Sequence, residues 1–259
     1  MADTVVFAED SISFLQGDDA QIGMKPGEEI SMESALYGML LASANEVAYA
    51  VAENVGKQYL NGGYAEFIEE MNRISQELGC TSSNWVNANG LHDDNHYTTA
   101  HDMARIAAAA YQNEEFRRLE TTLEYKVPPT NLTAEERILD QNHKMLWPEN
   151  YYYYANAKAG KTGYTDQSKT TLVTMAEGND MQLAAVVLHW GSCGIYDGNW
   201  WKENALLVAA GIGVSLFLYY RKIWAGGDCK LYLMLVLGMP WNIASKSVYG
   251  ISLIFYIPI

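Results

Sequence analysis

The hydrophobic pattern of this chain changes period once, and that change restricts what the chain can fold into. Up to Tyr111 apolar residues recur every three or four positions, which is one face of a helix. From Leu123 onward they alternate, which is one face of a strand. Ser31 can cap a first helix with Glu33 in its opening turn. Leu36, Met39, Leu40, Val47, Ala48 and Val51 continue the helical spacing, with Ser43 to Asn45 as the place where it can break. Gly38, Ala42, Ala44 and Ala48 predict close packing at the centre of the domain. Residues 64–78 predict an amphipathic helix ended by Gly79. Residues 99–111 predict another, started by Thr99 or by His101-Asp102. After the change of period, residues 123–127 read as a strand stopped by Pro128-Pro129. Residues 170–176 and 183–189 read as a hairpin turning through Glu177-Gly178-Asn179-Asp180. Val5 to Phe7 is a further short strand. Helices first and antiparallel strands second predict a mixed α+β domain, a helical cluster against an antiparallel sheet, and exclude a βαβ repeat.

At 259 residues the chain can hold one sizeable domain and an appendage. A formal charge of -14 argues against a phosphate-binding surface, so nucleic acid is excluded as a partner. Cys80, Cys193 and Cys229 are odd in number and far apart, which predicts buried free thiols. His92, His96 and His101 do not form a metal site, because residues 90–95 read as a turn. No metal and no cofactor is implied. Tyr151 to Tyr154 can line a cleft or cover the sheet. The amino terminus offers no basic region followed by an apolar one, so no secretory signal is expected in this sequence. Beyond Trp190 the composition shifts. Residues 205–220 carry no charge and precede Arg221-Lys222. A spanning helix needs about 20 apolar residues, so this run with its aromatic flanks predicts a membrane anchor in preference to a buried core helix. Arg221-Lys222 would then mark the cytoplasmic end. The expected organisation is a catalytic domain over 1–192 and an apolar tail over 193–259.

Two short motifs carry the chemistry. Ser43-Ala44-Asn45 lies in the helical region, and Lys161-Thr162-Gly163 lies where a strand should begin. They read as the second and third members of the S-x-x-K, S-x-N, K-T-G set of serine acyl-transfer sites. Acyl transfer needs an activated hydroxyl, a base, a proton route to the leaving amine and a site for the substrate carboxylate. Ser43 suits the proton relay, and the Asn45 amide can bond a substrate carbonyl and a lysine. Lys161 supplies positive charge for a carboxylate and can polarise the Ser43 hydroxyl, and Thr162 adds a hydroxyl donor. Gly163 leaves room for a substrate lying against the strand edge. The chemistry requires Ser43 and Lys161 to meet across one groove. No Ser, Thr or Cys in the sequence has a lysine three positions later, so the nucleophile motif is missing.

Four blocks in order resemble one family: residues 22–28 (IGMKPGE), 36–48 (LYGMLLASANEVA), 87–100 (NANGLHDDNHYTTA) and 160–165 (GKTGYT). From Val5 to His189 the chain is similar to the catalytic domain of D-alanyl-D-alanine carboxypeptidases, the low-molecular-mass penicillin-binding proteins. The resemblance implies a β-lactamase/transpeptidase-like fold and removal of the terminal D-alanine from peptidoglycan stem peptides through an acyl-enzyme. It implies β-lactams as substrate mimics, residues 90–95 as a structural loop, and a place on the extracytoplasmic face of the bacterial cytoplasmic membrane. The family's S-x-x-K segment should precede Val5. The expectation is therefore a truncated copy that is inactive as it stands. Two other readings are a non-catalytic module that holds peptide termini and a membrane protein whose function lies in the tail.

Overall fold

The computed structural model describes residues 3–178 and 181–190. The expected membrane anchor at 205–220, with Cys193 and Cys229, lies outside the described residues. Strands β1 (Thr4–Val6) and β2 (Glu29–Ser31) pair antiparallel. Ser31 then accepts the Ser34 N–H on its side chain and opens α1 (Met32–Leu40). The helix closes where Ala44 N–H returns to the Gly38 carbonyl at 3.1 Å. That six-residue return places Ser43 in the left-handed region, with φ 60. A new helix, α2 (Asn45–Tyr59), starts immediately. The helical run is thus two helices, and Ser43 sits in the break between them.

Helix α3 (Tyr64–Glu77) begins where the Glu66 carboxylate accepts the Gly63 N–H. It ends before Gly79, whose φ of 78 costs a glycine little. Helix α4 (Ala100–Tyr111) is capped by Thr99, whose hydroxyl accepts from Asp102 N–H. Helix α5 (Glu114–Glu120), capped by Asn113, was not visible in the periodicity. Strand β3 (Glu124–Val127) pairs with β4 (Arg137–Asp140), which the pattern also missed. In β4 Leu139 is buried while Ile138 is exposed, so four residues carry only one inward apolar side chain.

Strands β5 (Ala157–Thr165), β6 (Lys169–Gly178) and β7 (Met181–Trp190) form an antiparallel sheet in that order. Gly178 pairs with Met181, and the two residues linking them lie outside the described residues. One core gathers Val5, Phe7, Ile30, Leu41, Val47, Val51, Leu119 and Val127 between α1, α2 and the two small strand pairs. A second gathers Ala104, Ala107 and Tyr111 of α4 on Ala159, Met175, Ala184 and Val186 of the sheet. Gly38 has both Val47 methyls within 3.4 Å of where a Cβ would stand, and Ala44 is buried, as the small residues predicted. Cys80 is buried and free. Tyr151 to Tyr154 do not cover the sheet: their rings are exposed, Tyr151 to 94%.

Candidate active site

The site forms where the break between α1 and α2 meets β5. Lys161 Nζ donates to Ser43 Oγ at 2.7 Å across 118 residues of sequence. The same nitrogen donates to the Thr162 carbonyl at 2.7 Å. An ammonium has three N–H donors, so among the described residues one remains for an incoming acceptor. Ser43 uses an oxygen lone pair for this contact and keeps its own proton to give elsewhere. Ser43 and Lys161 are therefore brought together as the motif chemistry requires, by direct contact.

Strand register explains how β5 presents its groups. Lys161 lies opposite Val173, Thr162 opposite Leu172 and Gly163 opposite Thr171. Ala159 and Lys161 share a face with Val173 and Met175, toward α4, while Gly160 lies on the opposite face beside Thr174. A Cβ on Gly163 would stand 2.5 Å from Thr171 Oγ1, so this glycine also makes room for its neighbour in the sheet. Among the described residues β5 pairs only with β6, which leaves its other edge open. Gly160 N–H points to that edge, where it meets the Glu120 carboxylate at 3.0 Å. Alternation along a strand then turns the Thr162 and Tyr164 N–H groups to the same edge, where an extended peptide could pair.

Asn45 takes a different part from the one its motif suggests. It is buried at the start of α2, and both its backbone N–H and its amide nitrogen donate to the Ala20 carbonyl, at 2.8 and 3.0 Å. Beside it, Glu46 Oε1 accepts the Ile22 N–H at 2.7 Å. Burial raises the Glu46 carboxyl above its ordinary value, against the hydrogen bonds of Ile22 and its neighbours. Asn45 and Glu46 thus pin residues 20–22 against the helix that carries the site.

A buried polar layer beneath β5 had no signal in the sequence. Glu120 is 1% exposed at the end of α5. Gln141 donates from Nε2 to the Glu120 carbonyl at 3.3 Å. The equally buried His143 accepts Met145 N–H on Nδ1, which leaves Nε2 as the donor to Thr174 Oγ1 at 2.7 Å. Burial pushes the Lys161 ammonium down to about 8, against the pull of Glu120. Burial likewise pushes the Glu120 carboxyl up to about 7, against the Gly160 hydrogen bond and Lys161. Burial also holds His143 below its ordinary value. Glu120 ends an amphipathic heptapeptide rich in charge, so its spelling is that of a surface residue.

The histidine-bearing loop is structural. His96 Nδ1 accepts the Val86 N–H at 3.3 Å and its ring meets Trp85 edge-on at 5.3 Å. Asn87 Oδ1 accepts the Gly90 N–H, and buried Asp102 accepts from Ser82 and Ser83. No described cluster of three or more His, Cys, Asp or Glu could hold a metal ion.

The sequence profile of the D-alanyl-D-alanine carboxypeptidase family matches residues 1–191. DacF, the D-alanyl-D-alanine carboxypeptidase of Bacillus subtilis, is 29% identical over 191 residues, covering 72% of this chain and 44% of DacF. DacB2 of Mycobacterium tuberculosis is 28% identical, covering 75% of this chain and 62% of the relative. The chain therefore spans less than half of DacF and under two thirds of DacB2. Among solved structures, a D-alanyl-D-alanine carboxypeptidase of Mycobacterium tuberculosis superposes with a TM-score of 0.62 at 26% identity, over 72% of this chain and 65% of that one. The Streptomyces K15 DD-transpeptidase superposes with a TM-score of 0.65 at 24% identity, over 74% of this chain and 73% of that one, a likeness of fold.

Proposed function

Residues 1–191 make this chain a member of the D-alanyl-D-alanine carboxypeptidase family, and from that premise we propose that its site serves removal of the terminal D-alanine from peptidoglycan stem peptides. The observation that carries this reading is the 2.7 Å contact between Lys161 Nζ and Ser43 Oγ at an open strand edge. In the reaction a serine hydroxyl attacks the penultimate carbonyl, the C–N bond breaks, and the leaving D-alanine amine takes up a proton. Ser43 relays that proton, with its hydroxyl polarised by the Lys161 ammonium. Lys161 and Thr162 hold the terminal carboxylate, while Gly163 and the outward N–H groups of β5 receive the peptide backbone. The Asn45 amide nitrogen gives one N–H to the Ala20 carbonyl and has a second, which is the donor for a substrate carbonyl in this reading. β-Lactams fit the same half-site as mimics of the D-Ala-D-Ala end.

The nucleophile and its lysine base are the parts that these 259 residues do not spell. The chain by itself therefore binds peptide termini without forming an acyl-enzyme. The matching cellular site is the extracytoplasmic face of the cytoplasmic membrane, with residues 205–220 as anchor. No described helix is long and apolar enough to cross a membrane, so this anchor rests on the composition of the tail alone.

Labelling the purified chain with a fluorescent penicillin tests the first half of the reading: no covalent band is expected, and a stable band would overturn it. Titrating the chain with diacetyl-L-lysyl-D-alanyl-D-alanine tests the second half. Lys161→Met should weaken binding roughly tenfold, since a hydrogen bond to a charged group contributes about 1.5–3 kcal/mol. An affinity indifferent to Lys161 would sink the site.

A further inference from the structure

A cleft of about 330 Å³ lies along the segment between β4 and β5, and neither Ser43 nor Lys161 lines it. Its volume falls at the lower end of small-molecule sites, about 300–1,000 Å³. Trp147 lines it, and the indole is held in place because Nε1–H donates to the Gln141 carbonyl at 2.7 Å. Asp140, Asn142, Lys144 and Glu149 line it as well. Among the described residues no hydrogen bond or ion pair engages these four side chains, so their polar ends are open to a ligand. Asn150 adds a directed group: its Oδ1 accepts the Tyr152 N–H at 3.0 Å, which leaves its amide nitrogen to donate. The chain then runs straight into Tyr151 to Tyr154, four exposed rings in a row. Their backbone is fixed. Asn150 N–H donates to the Trp147 carbonyl, Tyr153 N–H to that of Asn150 and Tyr154 N–H to that of Met145, each at 3.0 Å. Tyr151 and Tyr152 meet edge to face, 5.3 Å between ring centres. A contiguous patch of exposed rings beside a polar cleft marks an interaction site, where a single exposed ring would not.

We propose that this cleft and the tyrosines beside it bind a glycan strand of acetamido sugars, the polymer that carries the stem peptides. The choice of that polymer rests on the reading of the chain as a stem-peptide carboxypeptidase, while the saccharide chemistry rests on the cleft itself. A sugar ring has a C–H face that packs on an aromatic ring and a rim of hydroxyls that needs donors and acceptors. Trp147, Tyr151 and Tyr152 supply the first, and Asp140, Asn142, Glu149 and Asn150 supply the second. An acetamido group offers one N–H and one carbonyl, which a carboxylate and an asparagine amide satisfy together. Polyanions are disfavoured by the two carboxylates of the lining and by the formal charge of -14. A lipid surface fits less well. Among the large apolar side chains of residues 140–156 only the tyrosines are exposed, so no aliphatic chain is offered to the acyl region, and Asp140 and Glu149 repel anionic headgroups.

The test titrates the full chain with tetra-N-acetylchitotetraose in a calorimeter. Saturable binding is expected, and a variant carrying both Tyr151→Ala and Tyr152→Ala should bind roughly tenfold more weakly through the loss of two stacking rings. Both rings are exposed, so the variant removes little that the fold needs. Maltotetraose, which has as many rings and no acetamido groups, should also bind roughly tenfold more weakly than the acetylated sugar. No binding, an affinity indifferent to the two tyrosines, or equal affinity for the two sugars overturns the proposal. Vesicles of phosphatidylglycerol and phosphatidylethanolamine test the other occupant. The apolar tail can hold vesicles by itself, so the readout is the difference between the parent and the tyrosine variant. A difference there without binding of the acetylated sugar assigns the patch to a membrane and overturns the proposal. Lys161→Met should leave the sugar affinity unchanged. If the sugar binds as stated while diacetyl-L-lysyl-D-alanyl-D-alanine is indifferent to Lys161, the saccharide cleft stands and the carboxypeptidase reading fails. If the peptide answers to Lys161 and the sugar does not bind, the cleft proposal alone fails.

Discussion

Ser43 occupies a backbone conformation that a residue with a Cβ adopts at a cost. Its φ of 60 is what closes α1 through the Gly38 carbonyl and turns the hydroxyl onto Lys161. Glycine is the usual occupant of such a helix-closing position, and a left-handed residue with a Cβ costs about 1–2 kcal/mol. A serine here trades stability for a hydroxyl in a defined place. Ser43→Gly should therefore raise the unfolding free energy by about 1 kcal/mol in urea titration while removing the Lys161 contact. A destabilised Ser43→Gly would mean that the hydroxyl matters more to the fold than the backbone strain does.

At the scale of elements, β5 is placed by a residue with no side chain. A Cβ on Gly160 would lie 2.3 Å from the Val173 carbonyl oxygen and 2.3 Å from His143 Cδ2. One contact is the backbone of β6, and the other is a ring already fixed by Met145 and Thr174. Neither can retreat cheaply. Gly160→Ala should cost about 1–3 kcal/mol, the usual toll of overpacking, or more if β5 leaves its register. Amide exchange of Lys161 and Thr162 should rise along with the loss of stability. An alanine tolerated without change in either would show that β5 is held loosely and that the Glu120 contact does not set its position.

Across the whole molecule, one buried ion pair joins the amino-terminal strands to the second half of the chain. Glu28 is fully buried, accepts from Thr130 at 2.5 Å and from Arg137 Nη2 at 2.8 Å, and receives the Lys25 N–H at 2.9 Å. Burial alone would raise its pKa, but the hydrogen bonds of Thr130, Arg137 and Lys25 outweigh burial and leave it lowered. A folded-state value below the unfolded one means stability that is present above the ordinary carboxylate range and lost as the pH falls through the folded value. Glu28→Gln should cost about 3–5 kcal/mol at neutral pH, because it leaves the Arg137 guanidinium buried without its counter-charge. The gap between variant and parent should narrow in acid, as Glu28 of the parent is protonated. Urea unfolding at a series of pH values checks this, and a gap that widens in acid would contradict the assigned charge state.

The sequence by itself determined the order of elements wherever a pattern could repeat. Residues 64–78 and 99–111 span three turns or more, so their apolar stripe and their caps could be read directly. The alternation on either side of Gly178 likewise announced the β6–β7 pair. The Ser43 and Lys161 motifs were legible as well, since each needs only three letters and a context. Helix α5 and strand β4 were not legible, because two or three apolar residues in a short segment define no period. Only the tertiary structure decided that the helical run breaks at Ser43, that Asn45 turns to Ala20, and that Glu120 and His143 lie buried beneath β5. In each case the cause is a contact between segments far apart in sequence. A carboxylate on a charged helix end reads as solvated until another strand closes over it, and no local spacing reports which strand that will be.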